Sequence, residues 1–393
     1  MSCHVVRRIR FQCTNMSFLL EAMQLSKALN CSTDDVLLAR LVMTQSYAGL
    51  VIDGHEDIAF NSLYLQEDFL IPSLQRRLDS KVDEKRLEPT VSLPDLIKGN
   101  VKIVFATIWT PPCLPGIEER PCYHSPKEAY ALAMRQLEYY KSLVAAEHVV
   151  LIKDRETLRS VIETPSRVGL IILMEGADPV VSPKDVGGWY LDGLRILAPS
   201  WRATRYAGGT HMPGPLTEAG RELMRELNDS RLILDVSHMA EEAFFEALDR
   251  FQGTVIASHS NCRALVPTDR QLSDEMIRAL VSRDAVIGVV LCNPFLLNGW
   301  KKAAGSKKSE VKLSNVIEHV QHICRIAGDS SHVAVGSDLD GGFGVESAPA
   351  EVDTVADLNK LGTALSDAGF SDKEVQQVMQ KNWLRILERA LPP

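Results

Sequence analysis

Eight short apolar runs, each followed by an amphipathic or loop-like stretch, constrain what this chain can fold into more than any other feature. The runs are Leu50–Asp53, Val101–Trp109, Val168–Met174, Gly193–Ala198, Leu232–Val236, Thr254–Ala257, Ala285–Leu291 and His332–Val335. They are four to nine residues long and mostly lack alternating polarity, as suits strands buried on both faces of a parallel sheet. Ser125–Glu147, Asp154–Ile162, Thr217–Asp229, Ala240–Arg250 and Ser273–Ser282 instead space their apolar residues by three and four, as in Ala243, Phe244, Ala247 and Leu248. That spacing makes one face of a helix, and Thr217 and Ser273 stand where N-caps belong. Strand-then-helix order repeated eight times predicts an α/β fold, a distorted (β/α)8 TIM-like barrel. Val352–Ala368 and Ser371–Ala390 read as C-terminal helices packed on the outside of the barrel, with Gly369 as a stop and Ser371 as a cap.

A barrel brings its strand C-termini to one mouth, where active sites sit. The metal-capable residues fall at those positions. His55 and Asp57 lie just past the first strand, two apart, so both side chains share one side of an extended backbone. Glu175 ends the third strand, His238 follows the fifth, His259 follows the sixth and Asp338 follows the eighth. Two His, an Asp, a Glu able to bridge and a further His suffice for two Zn²⁺. A lone histidine is more often structural, and His4, His124, His148, His319, His322 and His332 read that way, with His211 only slightly above them. His55, His238 and His259 differ because all three end apolar runs, which chance placement would seldom give.

Composition narrows the partners. With 43 Lys+Arg against 51 Asp+Glu, a formal charge of −8 and 6% aromatics, the chain lacks the basic surface of a nucleic-acid binder. Its longest apolar run, about Ala285 to Leu297, is too short for the ~20 residues of a membrane helix. Eight cysteines at 3, 13, 31, 113, 122, 262, 292 and 324 form no CxxC pair and read as reduced thiols of a cytoplasmic protein. Met1–Leu20, with Arg7, Arg8 and Arg10 and no acidic residue, reads as an extension, a mitochondrial-type presequence being the alternative. The proline-rich loop Pro111–Pro126, containing Cys113 and Cys122, is a candidate lid or substrate wall, with a plain surface loop equally open.

Taken in order, Asp53-Gly-His-Glu-Asp57, Glu175-Gly, Leu216-Thr-Glu-Ala-Gly-Arg221, Leu234-Asp-Val-Ser-His238, Ser258-His-Ser260, Gly336-Ser-Asp-Leu-Asp-Gly341 and Asn382-Trp-Leu-Arg-Ile386 resemble the membrane (renal) dipeptidase family of zinc peptidases, within the amidohydrolase-like metal barrels. Glu56 departs from the asparagine usual at its place. The resemblance runs from about Leu50 to the C-terminus, which divides the chain into an extension over residues 1–45 and a single barrel domain over 46–393. It implies a binuclear zinc site with His55 and Asp57 on one metal, His238 and His259 on the other and Glu175 bridging. A metal-bridging hydroxide would attack the scissile carbonyl, with Asp338 moving the proton from water to the departing amine and Asp340 bracing the loop. Arg270 matches the family arginine that clamps the substrate carboxylate. Trp201 stands where the family carries a substrate-contacting histidine, and Arg202, Arg205 or His211 are the residues that could substitute. The implied activity is hydrolysis of a dipeptide or similar small amide with a free carboxylate, by a homodimer. The alternatives are an amidohydrolase acting on another small amide, such as an N-acyl amino acid, and a catalytically weakened metal-binding barrel.

Overall fold

In the computed structural model, which describes residues 47–79, 87–114 and 121–393, every one of the eight apolar runs is a strand. In chain order these are β1 Val51–Glu56, β2 Val101–Trp109, β3 Gly169–Glu175, β4 Leu194–Ala198, β5 Ile233–Asp235, β6 Val255–Ala257, β7 Val286–Val289 and β8 Val333–Val335. Each pairs in parallel with the next, β1 through β8. No backbone ladder joins β8 to β1 among the described residues. A side chain spans that seam: Asp53 accepts from the backbone N–H of Ser337 at 2.7 Å and from its hydroxyl at 2.5 Å. A two-residue strand, Val150–Leu151, adds to β3, and an antiparallel hairpin, Ala207–Gly209 with Met212–Leu216, sits between β4 and β5.

Two apolar layers hold this arrangement. The outer one packs strand residues such as Val104, Leu170 and Val255 against helix residues such as Leu137, Leu223, Phe244 and Ile277. The helices start where the sequence places their caps, with Ser125, Asp154, Thr217 and Ser273 each accepting from a first-turn N–H. The inner layer fills the barrel with Ile52, Phe105, Leu173, Ile196, Ile233, Ile256, Val286 and Ala334. Here the C-terminal segment departs from the expectation of a purely external helix. The helix Asn382–Ala390 buries Trp383, Ile386 and Leu387 in that inner layer, with the Trp383 ring 5.0 Å from Phe105 and its Nε1 donating to Val335 O at 2.7 Å. Its apolar stripe plugs the end of the barrel opposite the mouth, a role that helical periodicity cannot distinguish from packing on the outside.

The cysteine reading is also corrected. Cys113 and Cys122 form a disulfide, tying the backbone just after β2 to Tyr123, which exchanges backbone hydrogen bonds with Pro111 and Cys113. Cys262, Cys292 and Cys324 are free thiols among the described residues. Disulfides persist in oxidising compartments, so the argument from unpaired thiols for a cytoplasmic location falls. No described helix is long and apolar enough to cross a membrane. Residues 1–45, with the extension or presequence expected there, lie outside the described residues.

Candidate active site

The expected ligand residues converge at the mouth because their strands end there in register. Glu175, last in β3, pairs with Trp109 on one side and Ala198 on the other. In β1 the pairing register slips between Asp53 and Glu56, an irregularity of the kind that re-aims side chains beside active sites. At Asp338 the backbone enters the left-handed region, φ 59°, and Gly341 closes the turn by donating to Asp338 O at 2.9 Å. A Cβ at residue 341 would lie 1.9 Å from Asp338 Oδ1, so only glycine leaves that carboxylate its place.

His238 Nε2 and His259 Nε2 are 2.9 Å apart, and both face one oxygen of Glu175, Oε1, at 2.9 and 3.3 Å. His55 Nε2 faces the other oxygen, Oε2, at 3.8 Å and Asp338 Oδ1 at 3.9 Å. Donor atoms of His55, Glu175 and His259 lie close enough to share one ion, as do those of His55, Asp57 and Asp338. All six residues are buried. Burial, with the Arg270 charge, pushes His55 down to about 3 and holds His238 and His259 well below the ordinary imidazole range. Their rings are therefore neutral and able to offer lone pairs. Burial first, then the neighbouring carboxylates, raises Glu175 and Asp338 well above the usual carboxylate range, with Arg270 opposing. Neutral imidazole nitrogens clustered with carboxylates under mutual repulsion are a donor set that a divalent metal ion satisfies, so these residues fit a metal centre.

Arg270 is buried beneath the site and held on three acceptors: Nη1 donates to Ser237 O at 2.9 Å and Ser260 Oγ at 3.1 Å, and Nη2 to His259 O at 2.6 Å. Its Nε is buried without a hydrogen-bond partner. Trp201 is at the site, not in the outer layer. Its ring lies 6.4 Å from His238 and stacks edge-on at 5.0 Å against Trp109, which meets Phe60 at 4.6 Å, so an aromatic wall flanks the histidines. Of the candidates to replace a histidine there, Arg205 is engaged with Asp178 and with Val180 O and Val181 O. Arg202 lies over the Trp201 ring, and His211 pairs at the hairpin tip with Asp269 at 3.0 Å. Asp340 braces a loop as expected, accepting from Thr90 N, Thr90 Oγ1 and Val91 N at 2.7, 2.6 and 2.9 Å.

Sequence reasoning missed the polar residues that contact these histidines. Thr210, on the hairpin, contacts His238 Nδ1 at 2.9 Å, and Thr107 contacts His55 Nε2 at 3.3 Å. Asp235, Ser237 and Ser258 form a buried cluster behind His259. The available signal was Asp235 itself, a carboxylate inside the apolar run Leu232–Val236.

A sequence profile of the family described as membrane dipeptidase, peptidase family M19, matches residues 39–391. A Klebsiella pneumoniae protein named for its place in the pqqA 5′ region is 33% identical over 216 residues, 53% of this chain and 76% of that one. The dipeptidase aclJ of Aspergillus oryzae is 24% identical over 375 residues, 92% and 81% of the two chains. Among solved structures, a metallopeptidase from Rhodobacter sphaeroides, liganded with a phosphinate mimic of the dipeptide L-Ala-D-Ala, is alike in fold, with a TM-score of 0.71 at 23% identity over 87% of this chain and 99% of that one.

Proposed function

This chain belongs to the membrane dipeptidase family of metallopeptidases, and on that premise we propose that it hydrolyses dipeptides, or similar small amides ending in a free carboxylate, at a two-zinc site. The observation that carries the reading is the division of Glu175, whose Oε1 faces His238 and His259 while Oε2 faces His55. On this reading His238 and His259 would hold one cation and His55 and Asp57 the other, with Glu175 shared between the two sides. Bound there, such cations would lower the pKa of a water and polarise the scissile carbonyl.

The chain's own residues supply the rest. Asp338, whose Oδ1 lies 3.9 Å from His55 Nε2, takes the proton of the attacking water and passes it to the departing amine. Arg270 offers its remaining donors to the substrate carboxylate, its guanidinium fixed in advance by Ser237, Ser260 and His259. Trp201 narrows the space beside His238 and offers one N–H where an imidazole would offer a titratable group, which selects among dipeptides.

A panel of dipeptides, their C-terminal amides and N-acyl amino acids, given to zinc-loaded protein, tests the substrate class. Dipeptide turnover is expected, whereas turnover of N-acyl amino acids alone identifies the other amidohydrolase, and no turnover with both metals bound identifies a binding barrel. In the same panel Arg270→Met should weaken capture of the free acids at least tenfold more than of the amides. Equal losses on acid and amide remove Arg270 from the carboxylate.

A further inference from the structure

Behind His259 lies a chain of hydrogen bonds whose direction can be counted. Asp235 is wholly buried, and its Oδ1 accepts from Ser237 N at 3.1 Å, Ser258 N at 3.0 Å and Ser237 Oγ at 2.6 Å. Its Oδ2 accepts from Ser258 Oγ at 2.5 Å. Ser258 Oγ in turn lies 2.7 Å from His259 Nδ1. A carboxylate only accepts, and a serine has one hydroxyl hydrogen. Once that hydrogen is given to Asp235, Ser258 Oγ can only accept from His259, so Nδ1 carries the ring proton. Nε2 is then left with its lone pair, and it is the atom that faces Glu175 Oε1 at 3.3 Å and His238 Nε2 at 2.9 Å.

We infer that Asp235 is a positioning residue that fixes the tautomer of His259 through Ser258 and so makes its Nε2 available to a cation. The role rests on the two-cation reading of the mouth, while the tautomer itself does not. Ser237 completes the device: the same hydroxyl that binds Asp235 accepts from the His259 backbone N–H at 3.1 Å, so one carboxylate sets both ring protonation and backbone position. Carboxylates that orient histidine ligands in this manner typically contribute 10–100-fold to metal affinity.

Asp235→Asn is the discriminating variant because it reverses the chain at nearly constant volume. Three donors converge on Oδ1, so the amide oxygen stays there and the amide nitrogen takes the place of Oδ2. It then donates to Ser258 Oγ, whose hydrogen is released to His259 Nδ1 at 2.7 Å, nearer than Ser237 Oγ at 3.1 Å. The ring proton moves to Nε2, into the site. Two measurements decide the matter. In ¹⁵N-histidine spectra of the metal-free protein, His259 should be protonated on Nδ1 in the wild type and on Nε2 in Asp235→Asn. In zinc titrations against a chromophoric chelator, Asp235→Asn should weaken one site 10–100-fold, Ser258→Ala should change it less than threefold, and the double variant should recover most of the loss. A wild-type His259 protonated on Nε2 overturns the inference without recourse to any variant, and so does a double variant as weak as Asp235→Asn. A wild type that binds no zinc yet shows the Nδ1 tautomer counts against the two-zinc reading and leaves the relay standing.

Discussion

Asp338→Asn should bind the same metal as the wild type yet turn over dipeptides about 10²–10⁴-fold more slowly, the range for a lost general acid or base. The side chain lies among groups that respond to its protonation state, 3.9 Å from His55 Nε2 and within the electrostatic reach of Asp57 and Arg270. Asparagine keeps the shape and, through its carbonyl, one acceptor, but it cannot carry the proton from water to amine. The turn that holds the residue survives the change, since Gly341 N donates to the main-chain oxygen of residue 338 and not to its side chain. Metal content by mass spectrometry and turnover on one dipeptide check both halves. A loss below threefold transfers the proton role elsewhere, and a loss of metal in step with activity makes Asp338 a ligand, as its grouping with His55 and Asp57 also allows.

Glu175→Gln should empty at least one metal position, taking the protein from about two ions per chain to one or fewer, with activity falling accordingly. The carboxylate serves two sides at once, and an amide has a single oxygen with which to do so. The substitution also turns an amide N–H toward an imidazole nitrogen, His238 Nε2 at 2.9 Å or His55 Nε2 at 3.8 Å, where it competes with a cation for the lone pair. Retention of both ions in this variant assigns the bridge to another residue.

How far the sequence could be read follows from what kind of force acts at each place. The barrel strands were legible because parallel strands buried on both faces need unbroken apolar runs, and β2 extends over Val101–Trp109, the same bounds as its run. The clustering of His55, Asp57, Glu175, His238, His259 and Asp338 was legible because a barrel converts the position after a strand into a position at the mouth. The hairpin was not. Met212–Leu216 reads Met-Pro-Gly-Pro-Leu, a composition that argues against strands, yet it pairs with Ala207–Gly209, and the hairpin brings Thr210 to His238. Cys113–Cys122 was illegible for another reason, since spacing does not distinguish two thiols from one bond. Asp235 and Ser258, 23 positions apart, meet only once β5 and β6 are neighbours. Trp383 required knowing that the last helix turns under the barrel rather than along it.

The central claim is that the residues at the mouth form one site for two cations. Metal analysis of the wild-type protein after zinc reconstitution and removal of loosely held ions tests it most directly. The account predicts close to two ions per chain, with His238→Ala and Asp57→Ala each lowering the count by about one, because the two residues belong to opposite sides of Glu175. At most one ion per chain after reconstitution contradicts it.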